Sequence, residues 1–275
     1  MNDLAPGLYV VATPIGNLAD LSERAAAVLN AAALIAAEDT RVLGTLRKRL
    51  GLQAPAMSLT EHNVDSRIPR LLEAAQTGVA ALTADAGTPL IADPGARAVA
   101  AAHEAGVRVF VVPGPSALAA ALSLAGFDAS DAHFLGFLPR RASERARRLA
   151  ATAATAGVLL FFESPRRLAR SLADLAVTLD DPPTVVCREL TKLHEETVRG
   201  RASELATRFE GTKGECTVVV DVRSWAPESD SSEVVAYLRE MKRAGAKRSP
   251  AAAEAARRFG VTRAEAYGAW PESDG

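Results

Sequence analysis

The chain has 275 residues, 48% of them apolar, with 32 basic against 33 acidic side chains and a formal net charge of −1. That suits one large or two modest globular domains, and it excludes a protein held to nucleic acid or a membrane by overall attraction, so such contacts have to come from local patches. Cys187 and Cys216 lack metal or redox spacing and read as buried thiols of a reducing compartment, the start from Met1 to Gly7 carries no basic and apolar leader, and the Ala-rich run from Ala25 to Ala37 is too short to span a bilayer, so a cytoplasmic protein without a membrane partner is expected.

In chain order, short β-rich runs alternate with helical patterns. The first set is Leu8 to Ala12, Leu34 to Ala37, Val79 to Leu82 and Val107 to Val112, with amphipathic or Ala/Leu-rich segments between them, an α/β pattern. Near Gly126 the pattern restarts with Phe134 to Phe137, a basic helix, Val158 to Phe162, a second helix, Val185 to Cys187 and Cys216 to Val220. Glu195 to Gly200 is expected as an antiparallel strand pairing near the last one. From Trp225 to Ser232 the chain reads as a linker, and beyond it as helical and basic. The expected organisation is a first α/β domain over residues 1–117, a second over 118–225 and a small helical segment over 226–275.

Three strands run into loops rich in Gly, Pro and small polar residues: Thr13-Pro-Ile-Gly-Asn17, the segment from Asp85 to Gly95, and Pro113-Gly-Pro-Ser116. Ligands of open α/β sheets bind beyond the carboxyl ends of strands, so three such loops define one mouth without naming the ligand. The dinucleotide fingerprint is missing from the first turn, and so is the P-loop pattern, which argues against phosphate-cradling cofactors.

These loops, together with Ala37-Glu-Asp-Thr-Arg41, Phe162-Glu-Ser-Pro165 and Arg188-Glu-Leu-Thr-Lys192, resemble the tetrapyrrole-methylase superfamily, and within it the branch that acts on ribosomal RNA. The resemblance runs in order from about Leu8 to Val222. It implies two α/β domains with S-adenosylmethionine bound in the cleft between them, a homodimer, and 2′-O-methylation of a cytidine in small-subunit (16S) ribosomal RNA, free or assembled into the subunit. Carried over residue by residue, it implies that Pro14, Asp85, Ala86, Gly87, Thr88, Pro89, Ser116 and Ala117 line the cofactor site from the first domain. Phe161, Glu163, Arg188, Lys213, Gly214 and Glu215 would line it from the second. The physical reading agrees for the glycines, which permit close backbone approach, and for Pro89 and Pro94, which lower the entropy lost on ordering the loop. Asp85 has two readings, a ligand contact or a cap on its own turn.

For transfer to a weakly acidic hydroxyl, orienting two bound reactants contributes more than a base does. The candidate catalytic groups are Glu38 and Asp39 after the second strand and Glu189 with Lys192 after the Val185 strand. Lys192 has two readings, a neutral base or a charged partner of Glu189 or phosphate. His62, His103, His133 and His194 are scattered without ligand spacing, so no metal is expected. For RNA contact the candidates are Arg41, then Arg140, Arg141, Arg147 and Arg148 on the basic helix, and Lys247, Arg248, Arg257 and Arg258 in the tail. The tail also reads as a helix-turn-helix with Gly260 at the turn and Thr262 as N-cap, or as a plain helical hairpin.

Overall fold

Apolar strands buried on both faces need helices on both sides, and the first half of the chain meets that need. The structure, a computed structural model, describes residues 4–226, 231–259, 261 and 263–271. The elements are β1 (Gly7–Val11), α1 (Glu23–Ala31), β2 (Leu34–Ala37), α2 (Thr40–Leu50), β3 (Ala56–Ser58), α3 (Val64–Thr77), β4 (Val79–Thr83), α4 (Ala96–Glu104) and β5 (Val109–Val112). The five strands form a parallel sheet of order β3-β2-β4-β1-β5. Period-2 alternation sends Val11, Ile35 and Ala81 to the face covered by α1 and α2, and Leu8, Ala36 and Leu82 to the face covered by α3 and α4.

The chain continues through α5 (Ala117–Ala125), β6 (Ala132–Phe137), α6 (Ala142–Ala153), β7 (Val158–Glu163), α7 (Pro165–Thr178), β8 (Pro183–Arg188), β9 (Glu196–Arg201), α8 (Ala202–Arg208) and β10 (Cys216–Asp221). This second sheet has the order β6-β7-β10-β8-β9 and is parallel only between β6 and β7. One face carries Leu159, Phe161, Val186 and Val218 against residues of α6, α7 and α8. The other carries Leu160, Val185 and Val219 against α5, and Ile15 from the loop after β1 joins that cluster. The two sheets are therefore joined through shared apolar packing as well as through the chain. Three more helices, α9 (Ser231–Arg243), α10 (Arg248–Phe259) and α11 (Arg263–Gly268), close around Val234, Leu238, Ala252, Ala255 and Ala266.

Two details correct the sequence reading and one makes it specific. The edge strand β3 has three residues after Pro55, too short to leave a periodic signal. The antiparallel strand expected near the last one is β9, which pairs with β8, next but one to β10, because a short connection turns it back as a hairpin while β10 enters between β7 and β8. Trp225, read as linker, packs against the outer core of the second sheet. Residues 227–230 of that linker, and Gly260 and Thr262 of the expected tail turn, lie outside the described residues.

Candidate active site

The three Gly/Pro loops of the first sheet converge where the sequence put them, and hydrogen bonds tie them together. Thr13 N–H donates to Gly87 O at 2.9 Å and Gly87 N–H to Thr13 O at 3.0 Å, while Thr88 Oγ1 donates to Pro115 O at 3.1 Å. The Asp85 carboxylate accepts the Asp39 N–H at 2.8 Å, tying its loop to the one after β2. Gly87 has φ +78°, and a Cβ there would sit 3.2 Å from Ile15 Cγ2, so its freedom serves the approach of the first loop. Leu90 and Ala92 hold φ values of 72° and 67° without being glycine, a strained geometry of the kind that collects at functional sites.

A cavity of about 360 Å³ opens between the sheets, a size within the range of roughly 300–1,000 Å³ usual for small-molecule sites. Ile15, Ala86, Gly87, Thr88, Ile91, Ala92, Asp93, Ser116 and Ala117 wall it on one side, and Phe137, Phe162, Glu163, Ser164, Pro165, Glu215, Cys216 and Thr217 on the other. A second hollow of about 240 Å³ shares Ile15, Ala86 and Glu215 with it and adds Thr13, Pro14, Asp85, Lys192 and residues of α2. Thus Ala86, Gly87, Thr88, Ser116, Ala117, Glu163 and Glu215 reach the larger space, and Pro14, Asp85 and Lys192 the smaller. Pro89 is buried outside both walls, and Arg188, Lys213 and Gly214 are absent from them as well. Arg188 instead pairs with Glu196 at 3.0 Å and donates to Lys213 O.

Phe161 is the clearest correction. It is fully buried in the core under α6 and α7, and its neighbour Phe162 lines the cavity. Strand alternation separates the two, but choosing between them requires knowing which face of the sheet meets the cleft. Sequence reasoning also passed over Phe137, which stands 56% exposed at the rim, and Asp93.

The second domain's rim is dense with internal bonds. Lys192 Nζ donates to Glu189 Oε1 at 2.9 Å and to Glu215 Oε2 at 2.8 Å, and the Glu215 N–H donates to Glu189 Oε1 at 2.8 Å. Partial burial works to lower the Lys192 pKa, but the hydrogen bonds and charges of Glu215 and Glu189 outweigh it and hold the ammonium above its ordinary range. Two carboxylates bonded to Nζ suit the charged-partner reading of Lys192 better than the neutral-base one. Glu189 is held below the usual range, first by the Glu215 N–H. Glu189 and Thr191 have φ values of 51° and 66°. Thr191 Oγ1 accepts the Asn17 N–H at 2.9 Å, which fastens the two domains at Gly16.

On the opposite rim the acids behave differently. Asp39 caps α2 and is pulled to about 2 by hydrogen bonds from Arg41. Glu38 is raised by burial and then by Asp85, Asp39 and Glu61. Neither Glu38, Asp39 nor Glu189 lines the two cavities. Burial raises both thiols, Cys216 to about 11, which leaves them protonated and inert.

The basic stretch divides by burial. Arg145, at its centre, is 1% exposed and pairs with Asp174, so it is a core residue. Arg148 donates to Leu135 O at 2.9 Å and Arg141 faces Glu144, while Arg140 and Arg147 are exposed. In the tail, Arg248 stacks on Tyr267 and donates to its carbonyl, Arg258 stacks on Tyr237, Arg257 pairs with Glu254, and Lys247 is exposed. Arg41 is turned back onto Asp39.

Comparison with known proteins places this arrangement. Residues 7–206 match the family of Tetrapyrrole (Corrin/Porphyrin) Methylases. A Mesorhizobium japonicum protein named ribosomal RNA small subunit methyltransferase I is 45% identical over 222 residues, 79% of this chain and 76% of that protein. A Mycobacterium bovis protein of the same name is 43% identical over 254 residues, 90% and 88% of the two chains. Among solved structures, uroporphyrin-III C-methyltransferase from Thermus thermophilus complexed with S-adenyl homocysteine has a TM-score of 0.53 at 20% identity, covering 78% of this chain and 97% of that one. Diphthine synthase has a TM-score of 0.59 at 15% identity, covering 78% and 89%. At those identities the structural likeness is one of fold.

Proposed function

The chain belongs to the ribosomal RNA small subunit methyltransferase I family within the tetrapyrrole methylases, and from that membership we propose that it transfers a methyl group from S-adenosylmethionine to the ribose 2′-hydroxyl of a cytidine in small-subunit ribosomal RNA. The observation that carries the reading is the cavity between the sheets, built from the loops whose sequences resemble the family's. Its wall fits the cofactor: Ile15 and Phe162 offer apolar surface to an adenine, and Ser116, Thr217 and Glu215 offer polar groups to the ribose and the zwitterionic amino acid. Ala86, Gly87, Thr88 and Ala117 would hold it from one side and Phe162 and Glu163 from the other. When bound, the cofactor supplies an electrophilic methyl group on a sulfonium.

The chain's own contribution is chiefly orientation, which is worth up to about 10⁵–10⁸ M in effective molarity. The fastening of Thr191 to Asn17 fixes the two walls relative to one another, and the bridge from Thr13 to Gly87 ties the loops of the first wall together. Among the candidates read from the sequence, exposed Arg140, Arg141, Arg147 and Lys247 are available to phosphate. No described helix is long and apolar enough to cross a membrane. A homodimer working in the cytoplasm completes the proposal.

Labelled methyl transfer decides it. The purified chain should label small-subunit RNA, with one 2′-O-methylcytidine found on mapping, and parallel assays on free RNA and the assembled subunit identify the preferred form. Labelling of a porphyrinoid but not of RNA would overturn the reading, and so would failure to bind S-adenosylmethionine.

A further inference from the structure

Three carboxylates stand in the wall of the larger cavity, and two are already occupied. Glu163 accepts the Ser164 N–H at 2.8 Å, Arg167 at 2.9 Å and the Ser171 hydroxyl at 2.6 Å. Glu215 accepts Lys192. Asp93 is the third, and no hydrogen bond or ion pair to its carboxylate is found among the described residues. Half-buried, it follows Ala92, whose left-handed backbone fixes the direction in which the chain leaves the loop. A cavity-wall carboxylate without a protein partner is free to accept from what the cavity holds.

We infer that Asp93 is the general base that takes the proton of the acceptor hydroxyl in the reaction proposed above, on which this assignment rests. The ribose oxygen forms a bond to the methyl carbon, the carbon–sulfur bond breaks with its electron pair passing to sulfur, and the oxygen–hydrogen bond breaks with the proton passing to the Asp93 carboxylate. No further reactant is needed. The charged groups around Asp93 are Glu38 beyond β2 and Asp85 on its own loop, with Glu163 and Glu215 across the cavity. Burial, then Glu38, then Asp85 raise its pKa to about 6. That makes it a stronger base than an ordinary carboxylate while leaving it mostly ionised at neutral pH. The other candidates are less suited: Asp39 lies at about 2, Glu189 is lowered, Lys192 is held protonated, and Glu38, though raised, stands outside the cavity wall.

The test is Asp93→Asn in the full chain, in single-turnover methylation of small-subunit RNA at saturating cofactor and RNA. The wild-type rate should rise with pH through about 6 and then level, and the variant should lose roughly 10²–10⁴-fold together with that rising limb. Calorimetric affinity for S-adenosylmethionine should stay within about twofold, on the order of what a neutral contact change allows. Thermal unfolding gives a readout independent of activity. A carboxylate raised on folding binds its proton more tightly in the native state, so wild-type stability falls as pH rises from the ordinary value of 3.8 toward 6. Asp93→Asn should therefore melt higher than wild type at pH 8, on the order of 2–4 °C, and the gain should vanish at low pH.

Wild-type rate in Asp93→Asn overturns the assignment and leaves the methyltransferase reading standing. A fall in cofactor affinity with the saturated rate intact overturns it as well, making Asp93 a partner of the cofactor's charge. Absence of RNA methylation by wild type overturns the underlying reading, and the assignment with it.

Discussion

The loop of residues 85–95 and the loop of residues 189–192 both border the cleft and both hold non-glycine residues in the left-handed region, at Leu90 and Ala92 in one and Glu189 and Thr191 in the other. They differ in what their charges do. On the second loop, Lys192, Glu189 and Glu215 bond to one another. On the first, Asp85 is spent on the Asp39 N–H while Asp93 meets like charge and burial with no partner. Satisfied charges hold a wall in place, and an unsatisfied one is left to meet a substrate. The same contrast runs through the basic helix, where buried Arg145 is bonded to Asp174 and exposed Arg147 is not.

If the paired rim is a fastening, the largest effect should come from forcing it open. A Cβ at Gly16 would lie 2.8 Å from Thr191 Oγ1 and 3.0 Å from the Leu190 carbonyl. Gly16→Val should therefore separate the domains, an overpacking penalty of about 1–3 kcal/mol, and reduce cofactor affinity by roughly 10–100-fold in calorimetry. A Cβ at Gly44 meets nothing within 4 Å, so Gly44→Ala is the control and should bind as wild type does. Equal loss in both variants would dissolve the contrast.

A smaller effect belongs to Lys192. With its side chain 29% exposed, its pairs should be worth about 1 kcal/mol after solvent screening, and Lys192→Ala should weaken cofactor affinity by up to about tenfold. Because the ammonium is held above its ordinary range, the rising limb of the rate below pH 8 should stay where wild type has it. A limb that moves or disappears in Lys192→Ala, with Asp93 intact, would return the base to this rim.

The smallest effect concerns the exposed arginines. Changing Arg140, Arg141 and Arg147 together to Ala should lower the dependence of RNA affinity on salt by about 0.7–0.9 in slope for each phosphate no longer neutralised, with cofactor affinity unmoved. Filter binding over a salt series measures it, and an unchanged slope would make these side chains an ordinary solvated face.

Much of the fold was legible because burial on both faces writes continuous apolar runs into a parallel sheet, and Gly and Pro punctuate the loops after them. The runs at Leu34, Val79 and Val158 became strands within a residue of their expected ends. β3 was hidden by its brevity, and the partner of β9 by the fact that pairing across a sheet is a long-range choice. At the site, motif resemblance reached loops more securely than side chains. Gly87 and Ser116 lie in the cavity wall, where Phe162 and Asp93 also stand, whereas Phe161 lies in the core.

What the sequence determined by itself was local: which segments are apolar enough to be strands, where glycine and proline force turns, and which family's loops these are. Partnership was decided in three dimensions. Asp85 and Asp93 are eight residues apart in one loop and carry the same side chain. One accepts an N–H from a segment 46 positions away, and the other is raised to about 6 by burial and by Glu38 and Asp85. Proton affinity depends on desolvation and on charges a few ångströms off, and those distances exist only once the chain has brought the ends of β2 and β4 together.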